Sequence, residues 1–165
     1  MQSLNTIITA PLRLLGEYEI EVVVIGGVAA TLFGSSHLTN DLVVCYARNS
    51  KNLEKLASAL QSVNAQLRGV PDNTPFLLDA ATLRKGLNFT FITDIGSVDL
   101  LGEVRGVGGY DDVLEGSVTY ELFGYRFQVI EIGRLILAKR AAGRPKDLIA
   151  IPELEAIQER QSIEG

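Results

Sequence analysis

Two glycines and two aspartates have the spacing to do chemistry in this sequence. Gly26-Gly27 ends the β-branched run "EIEVVVIG" and opens "GVAATLFG", a segment with the make-up of a short helix closed by Gly34. A strand, a glycine turn and a helix bring free N–H groups and the positive end of a helix dipole to one point, where a phosphate can be held. Two classes of site begin this way. The dinucleotide fold needs G-x-G-x-x-G and an acidic residue about 20 positions on. Here the residues read Gly26-Gly27-Val28-Ala29-Ala30 and Tyr46 stands near the acid's place, so that class is excluded. The second class holds metal ions on carboxylates that project from the next strand. Residues two apart on a strand face the same side, so positions 41 and 43 of "NDLVVCYA" share one face; Asp41 is a carboxylate and Val43 is not. Asp99 lies in the apolar strand "SVDLL", where strand propensity disfavours an acid, and metal ligation shared with Asp41 supplies a reason for it. Mg²⁺ takes carboxylate and phosphate oxygens, and a pair of such ions can activate an attacking hydroxyl while neutralising a triphosphate.

Cations for such a substrate are available in "AKRAAGRPKD", which concentrates Lys139, Arg140, Arg144 and Lys146. Helix spacing sets Lys139 within reach of residue 143 and Arg140 near Arg144, so the cluster can face a triphosphate or an RNA backbone. Each of these features also has a plainer explanation. The two glycines suit a tight turn, Asp41 suits a turn beside Asn40, Asp99 can pair with Arg105, and cations late in a helix offset its dipole. His37, the only histidine, falls in a loop near the site and receives no role. Asp111-Asp112 sits between glycines, and adjacent residues on a strand point apart, so the pair is read as solvent-exposed loop.

The elements that must position these residues follow from pattern. An amphipathic helix over Ser3 to Leu15 is expected, ended or kinked at Pro11. "NSKNLEKLASALQSV" is an amphipathic helix with Asn49 or Ser50 as its cap and Leu53, Leu56, Leu60 and Val63 inward. "RGVPDNTPF" reads as a loop, "LDAATLRKG" as one or two helical turns between Asp79 and Gly86, and "GGYDDVLEGS" as a second loop. "LNFTFIT" with "SVDLLGEV", and "VTYELF" with "YRFQVIEI", read as hairpins. A helix from about Gly133 to Ala142 stops at "GRP"; "KDLIAIPELEAIQER" is helical with a break at Pro152, and "QSIEG" is a flexible tail. The fold class expected is α/β, a mixed sheet flanked by helices.

At 165 residues the chain has the size of one domain, 1–165, able to enclose a core without disulfide or structural metal. The apolar fraction of 47% is globular, and the longest apolar run, Val22 to Phe33, carries two glycines and is too short to span a bilayer. The first residues lack the basic, apolar and small-residue order of a signal peptide, so a cytoplasmic location and no membrane partner are expected. The lone Cys45 excludes an internal disulfide, and its apolar surroundings suit an inert thiol. A net charge of −5 excludes a broad nucleic-acid-binding surface and leaves room for a local basic site.

The motifs "IGGVAATLFG", "LTNDLVVCYAR", "VDLLG" and "LILAKRAAGRPKDL" together resemble those of the minimal nucleotidyltransferases of the DNA polymerase beta superfamily, which include the AbiEii-like toxins and the antitoxins paired with HEPN proteins. The resemblance runs from about Val22 to Leu154. It implies a polymerase beta-like fold, transfer of a nucleoside monophosphate from an NTP to a protein or to tRNA or other RNA, Mg²⁺ dependence, and a cognate toxin or antitoxin as partner. It implies that Gly26 and Gly27 form the phosphate turn, that Asp41 and Asp99 are the first and third metal ligands, and that Lys139, Arg144 and Lys146 handle nucleotide. The second carboxylate of the family's Asp-x-Asp pair falls on Val43, which cannot ligate a metal. An engineered knockout, natural degeneration and completion of the site by another group would each produce that substitution.

Overall fold

The computed structural model describes residues 6–71 and 74–164. Helix α1 (Thr6–Glu17) leads into β1 (Val22–Ile25), α2 (Gly26–Leu32) and β2 (Asp41–Tyr46). Helix α3 (Ser50–Ser62), the short β3 (Gln66–Leu67) and α4 (Ala80–Lys85) follow, then the hairpin of β4 (Asn88–Thr93) and β5 (Gly96–Leu101). A two-stranded ribbon, β6 (Glu103–Val104) and β7 (Gly108–Gly109), precedes α5 (Tyr110–Leu114), the hairpin of β8 (Val118–Leu122) and β9 (Tyr125–Val129), and the helices α6 (Ile132–Ala142) and α7 (Pro145–Glu164). Seven strands make one mixed sheet in the order β3-β4-β5-β2-β1-β9-β8.

The centre of the sheet is β-branched because it is covered on both faces. All of β1 is buried, paired antiparallel with β2 and parallel with β9, while β2 pairs parallel with β5. Strand β2 shows the period of two that a functional face needs: Leu42 and Val44 are inaccessible, whereas Asp41 and Val43 are only half-buried. Helix α1 crosses β2, β5 and β9, with Ile8, Leu12 and Leu15 inward. The caps of α3 and α4 are those expected, Asn49 and Asp79, whose side chains accept from Asn52 N and Thr82 N. Gly143, at φ +65, closes α6 in the left-handed conformation that glycine adopts without penalty. Among the described residues no helix is long and apolar enough to cross a membrane.

Several local expectations are corrected. Helix α1 continues past Pro11 to Glu17, and α7 runs through Pro152 to Glu164. An interior proline costs about 3 kcal/mol; burial on either side outweighs it, through Ile8 and Leu12 around Pro11, and through Ile151 and Leu154 around Pro152. The expected tail is therefore helical as far as Glu164, with Gly165 outside the described residues, as Ser3 and Leu4 of the expected first helix also are. The segment read as a loop from Gly108 to Ser117 contains the strand β7, paired with β6, and the turn-and-a-half of α5, in whose first turn Asp111 and Asp112 lie exposed. Asp112 is used there: its Oδ2 accepts from Gly109 N at 3.1 Å. Of the first expected loop, Asp72 and Asn73 lie outside the described residues.

One buried polar side chain fixes the start of β1 to the end of β2. Asn52 is 1% exposed; its Oδ1 accepts from Glu21 N at 2.7 Å, and its Nδ2 donates to Glu21 O at 3.0 Å and Ala47 O at 2.7 Å. Nearby, the Tyr46 hydroxyl donates to Leu87 O at 2.7 Å and accepts from Arg48 Nη1 at 2.6 Å. Cys45 is inaccessible and burial pushes its thiol up to about 12, so it is inert, as its surroundings in the sequence imply.

Candidate active site

The glycines after β1 let two segments approach closely. Gly26 sits at φ +67, and a Cβ there would stand 3.3 Å from Val43 Cβ. A Cβ on Gly27 would meet Thr39 Cβ and Oγ1 at 2.8 Å. Helix α2 begins at Gly26, and its first turn borders a cleft of about 410 Å³ that is also lined by Asp41, Val43, Asp99, Lys139, Arg144 and Lys146. The eight residues singled out in the sequence for phosphate, metal and nucleotide are thus gathered around one cavity.

The carboxylate arm is set by sheet register. Val43 pairs with Asp99 across β2 and β5, and Asp99 pairs with Thr90 across β5 and β4. Asp41 is two residues back on the same side of β2, so its carboxylate and that of Asp99 face the cleft with Val43 between the strands' ends and the core. A third group lies with them that the sequence analysis missed. Arg68, just past β3, donates its backbone N–H to Thr90 O at 2.9 Å, which puts it in the same cross-strand row. Its Nη2 lies 3.0 Å from Asp99 Oδ1 and 3.3 Å from Oδ2, and its Nη1 lies 3.5 Å from Asp41 Oδ1. Asp99 therefore pairs with Arg68 rather than with Arg105.

The electrostatics of the pair follow from burial. The Asp99 side chain is 17% exposed and that of Asp41 47%. Burial raises the Asp99 carboxyl above its ordinary value; Arg68 opposes this, and the neighbouring charge of Asp41 adds to it. Among the described residues no group of three or more His, Cys, Asp or Glu side chains converges as a metal site would require. Two carboxylates already bonded to a guanidinium, with a valine on the third position, do not fit a two-ion magnesium centre.

The cationic arm is ordered by one buried acid. Asp147 is 3% exposed and accepts from Arg144 N at 3.2 Å, Arg144 Nε at 2.7 Å and Arg144 Nη2 at 3.2 Å, with Lys139 Nζ at 3.9 Å. Lys139 is itself largely buried, and burial lowers its pKa although Asp147 opposes the change. Lys146 is near enough for its charge to lower the Asp99 carboxyl. The fourth cation goes elsewhere: Arg140 Nη2 pairs with Glu155 Oε2 of α7 at 2.8 Å, away from the cleft lining. His37 does line the cleft, with Nε2 3.7 Å from Glu153 Oε1; Glu153 also accepts from the hydroxyls of Ser35 and Ser36.

The two buried acids give opposite pH responses. For Asp147, burial raises the pKa but the bonds and charge of Arg144, with Lys139, lower it further, so the net shift is below the ordinary value of 3.8. Its contribution to stability is complete above that value and is lost as pH falls through the folded-state pKa. Asp99 is raised, so its contribution is complete below 3.8 and is lost as pH rises through its folded-state pKa. Urea unfolding midpoints measured from pH 2 to 6, on the scale of ordinary carboxylate titration, are expected to show an acid limb that flattens in Asp147→Asn and steepens in Asp99→Asn. Equal limbs in all three proteins would refute the assignment.

No family model matches the sequence, and no curated protein is similar to it in sequence. Similarity is found in solved structures. TM1012 of Thermotoga maritima, a candidate nucleotidyltransferase, superposes with a TM-score of 0.54 at 12% identity, over 99% of this chain and 94% of that one. The lincosamide antibiotic adenylyltransferase LnuA, in its lincomycin-bound form, superposes with a TM-score of 0.61 at 11% identity, over 95% of this chain and 99% of that one. The fold is therefore that of the nucleotidyltransferases, a mixed sheet flanked by helices.

Proposed function

We propose that the protein binds a nucleoside triphosphate in this cleft, as a nucleotidyltransferase-like protein whose chemistry is impaired at its metal centre. That chemistry would be attack of a protein or RNA hydroxyl on the α-phosphorus, forming the new P–O bond as the bond to pyrophosphate breaks. One observation carries the reading: the glycines that start α2, the Asp41–Asp99 pair and the cations Lys139 and Lys146 line a single cleft. Lys139 and Lys146 would face the phosphates, Arg144 would brace them through Asp147, and the narrow approach at Gly26 and Gly27 would let backbone come close to the ligand. Mg²⁺ would enter, if the centre were complete, through Asp41 and Asp99.

Val43 and Arg68 favour a second reading, in which the chain is a binding module that acts through a partner protein, as one half of a toxin–antitoxin pair. The two are separated by binding and transfer measured together. Equilibrium dialysis with each of the four NTPs should show binding by the natural chain, reduced about tenfold in Lys139→Ala, the loss expected for one charge-assisted contact. Transfer of label from α-labelled NTP into cell lysate supports the enzyme if it depends on Asp41, and supports the module if it is absent while NTP still binds. If none of the four NTPs binds, both readings fall.

A further inference from the structure

We propose that Arg68 is the resident cation of this cleft: its guanidinium holds the place of a divalent ion between Asp41 and Asp99, excludes metal from the pair, and makes triphosphate binding independent of metal. The second half of this statement rests on the nucleotide reading above; the first does not.

The geometry points to it in three steps. Both carboxylates bond the same guanidinium, Asp99 through both oxygens to Nη2 and Asp41 to Nη1. A divalent ion ligated by those oxygens would meet the positive charge of that group at contact distance, a repulsion that disfavours the metal unless the arginine withdraws. The placement is also built into the sheet rather than left to a wandering side chain. The Arg68 N–H bond to Thr90 O sets it at the head of the row Thr90, Asp99, Val43, and β3 is anchored by the pairing of Leu67 with Phe91. Val43 completes the arrangement: an apolar side chain packs where a third carboxylate would draw a metal, against the bare face of Gly26.

Charge agrees. The cleft lining and the groups paired to it carry four cations, Arg68, Lys139, Arg144 and Lys146, against four carboxylates, Asp41, Asp99, Asp147 and Glu153, a formal balance of zero. Without Arg68 three cations face four carboxylates, a formal charge of −1. With the arginine in place an anionic ligand meets no net repulsion, whereas its removal leaves a negative site that such a ligand enters only with another cation to offset it.

The test reads Mn²⁺ binding by electron paramagnetic resonance, with no nucleotide present, in the natural chain, Arg68→Ala, Arg68→Gln and Arg68→Ala with Asp99→Asn. The two single variants are expected to bind Mn²⁺ at least about tenfold more tightly than the natural chain, and the double variant to lose that gain, as expected when one charged contact is exchanged for another. Arg68 is exposed enough that either single variant should fold, and circular dichroism selects the one that does. Natural protein that binds Mn²⁺ as tightly as either single variant would overturn the proposal. Nucleotide binding in EDTA is the second arm: the natural chain should hold NTP, and the single variants should lose about tenfold and recover it on adding Mn²⁺. Failure of NTP to bind any variant removes the nucleotide reading and the metal-independence claim, while the Mn²⁺ contrast still decides whether Arg68 excludes metal.

Discussion

Val43→Asp combined with Arg68→Ala is expected to yield a protein that binds Mn²⁺ about a hundredfold more tightly than the natural chain, on the scale of two charged contacts regained. It is also expected to move label from an α-labelled NTP, where neither single change does so. Position 43 is opposite Asp99 in register and two residues from Asp41, so the new carboxylate would complete a cluster of three on one face. Space is available, because aspartate and valine are close in size and Gly26 carries no Cβ, which would otherwise stand 3.3 Å from the Cβ of residue 43. In Val43→Asp alone the guanidinium remains to neutralise part of the cluster; in Arg68→Ala alone the third ligand is missing. Like charges without a cation repel, so the double variant should lose stability in EDTA and regain it with Mn²⁺, which a thermal shift would register. Equal Mn²⁺ affinity in the double variant and the Arg68→Ala single variant would mean that position 43 does not belong to the carboxylate cluster.

The largest expected loss of stability lies away from the cleft. Asn52→Ala should cost about 2 kcal/mol, since it leaves Glu21 N and Ala47 O without their partner, each at roughly 1 kcal/mol or more, while Glu21 O keeps its bond from Ala47 N at 3.1 Å. Those three groups tie the residue before β1 to the residue after β2. Their loss should therefore loosen the pairing that aligns Ile25 with Val43 and with it the approach of Gly26. Urea unfolding would measure the cost. Asn52→Asp should fare little better, because a carboxylate cannot donate to Glu21 O and Ala47 O. A loss below about 1 kcal/mol would show that water replaces the amide there.

How much of this was legible in the sequence depends on whether the signal was local. The β-branched runs mark β1 and β2, and period-two alternation puts Asp41 and Val43 on one face. The caps Asn49 and Asp79 and the turn at Gly143 were also local chemistry. Asn52 and Arg68 were not legible, because what gives each its role lies about 30 residues away along the chain, joined only by tertiary register. Arg68 in particular sits beside Gly69, Val70 and Pro71, a composition that reads as turn, while the strand that carries it is two residues long. The prolines failed in the opposite sense: their local penalty is real, but Leu12 at 0% and Leu154 at 0% exposure show where packing settles the matter.

The brevity of β3 bears on time as well as place. A pair of residues at the rim of a sheet, hydrogen-bonded on one side to β4, separates from its neighbour far more often than β2 does from β1 at the centre. The arginine is therefore fastened to an edge of the sheet, which opens more readily than its centre. Amide protons at residues 66–68 should exchange well ahead of those at 41–46, and the rate at which the carboxylates meet a solute from outside should follow the opening of that edge rather than the width of the cleft.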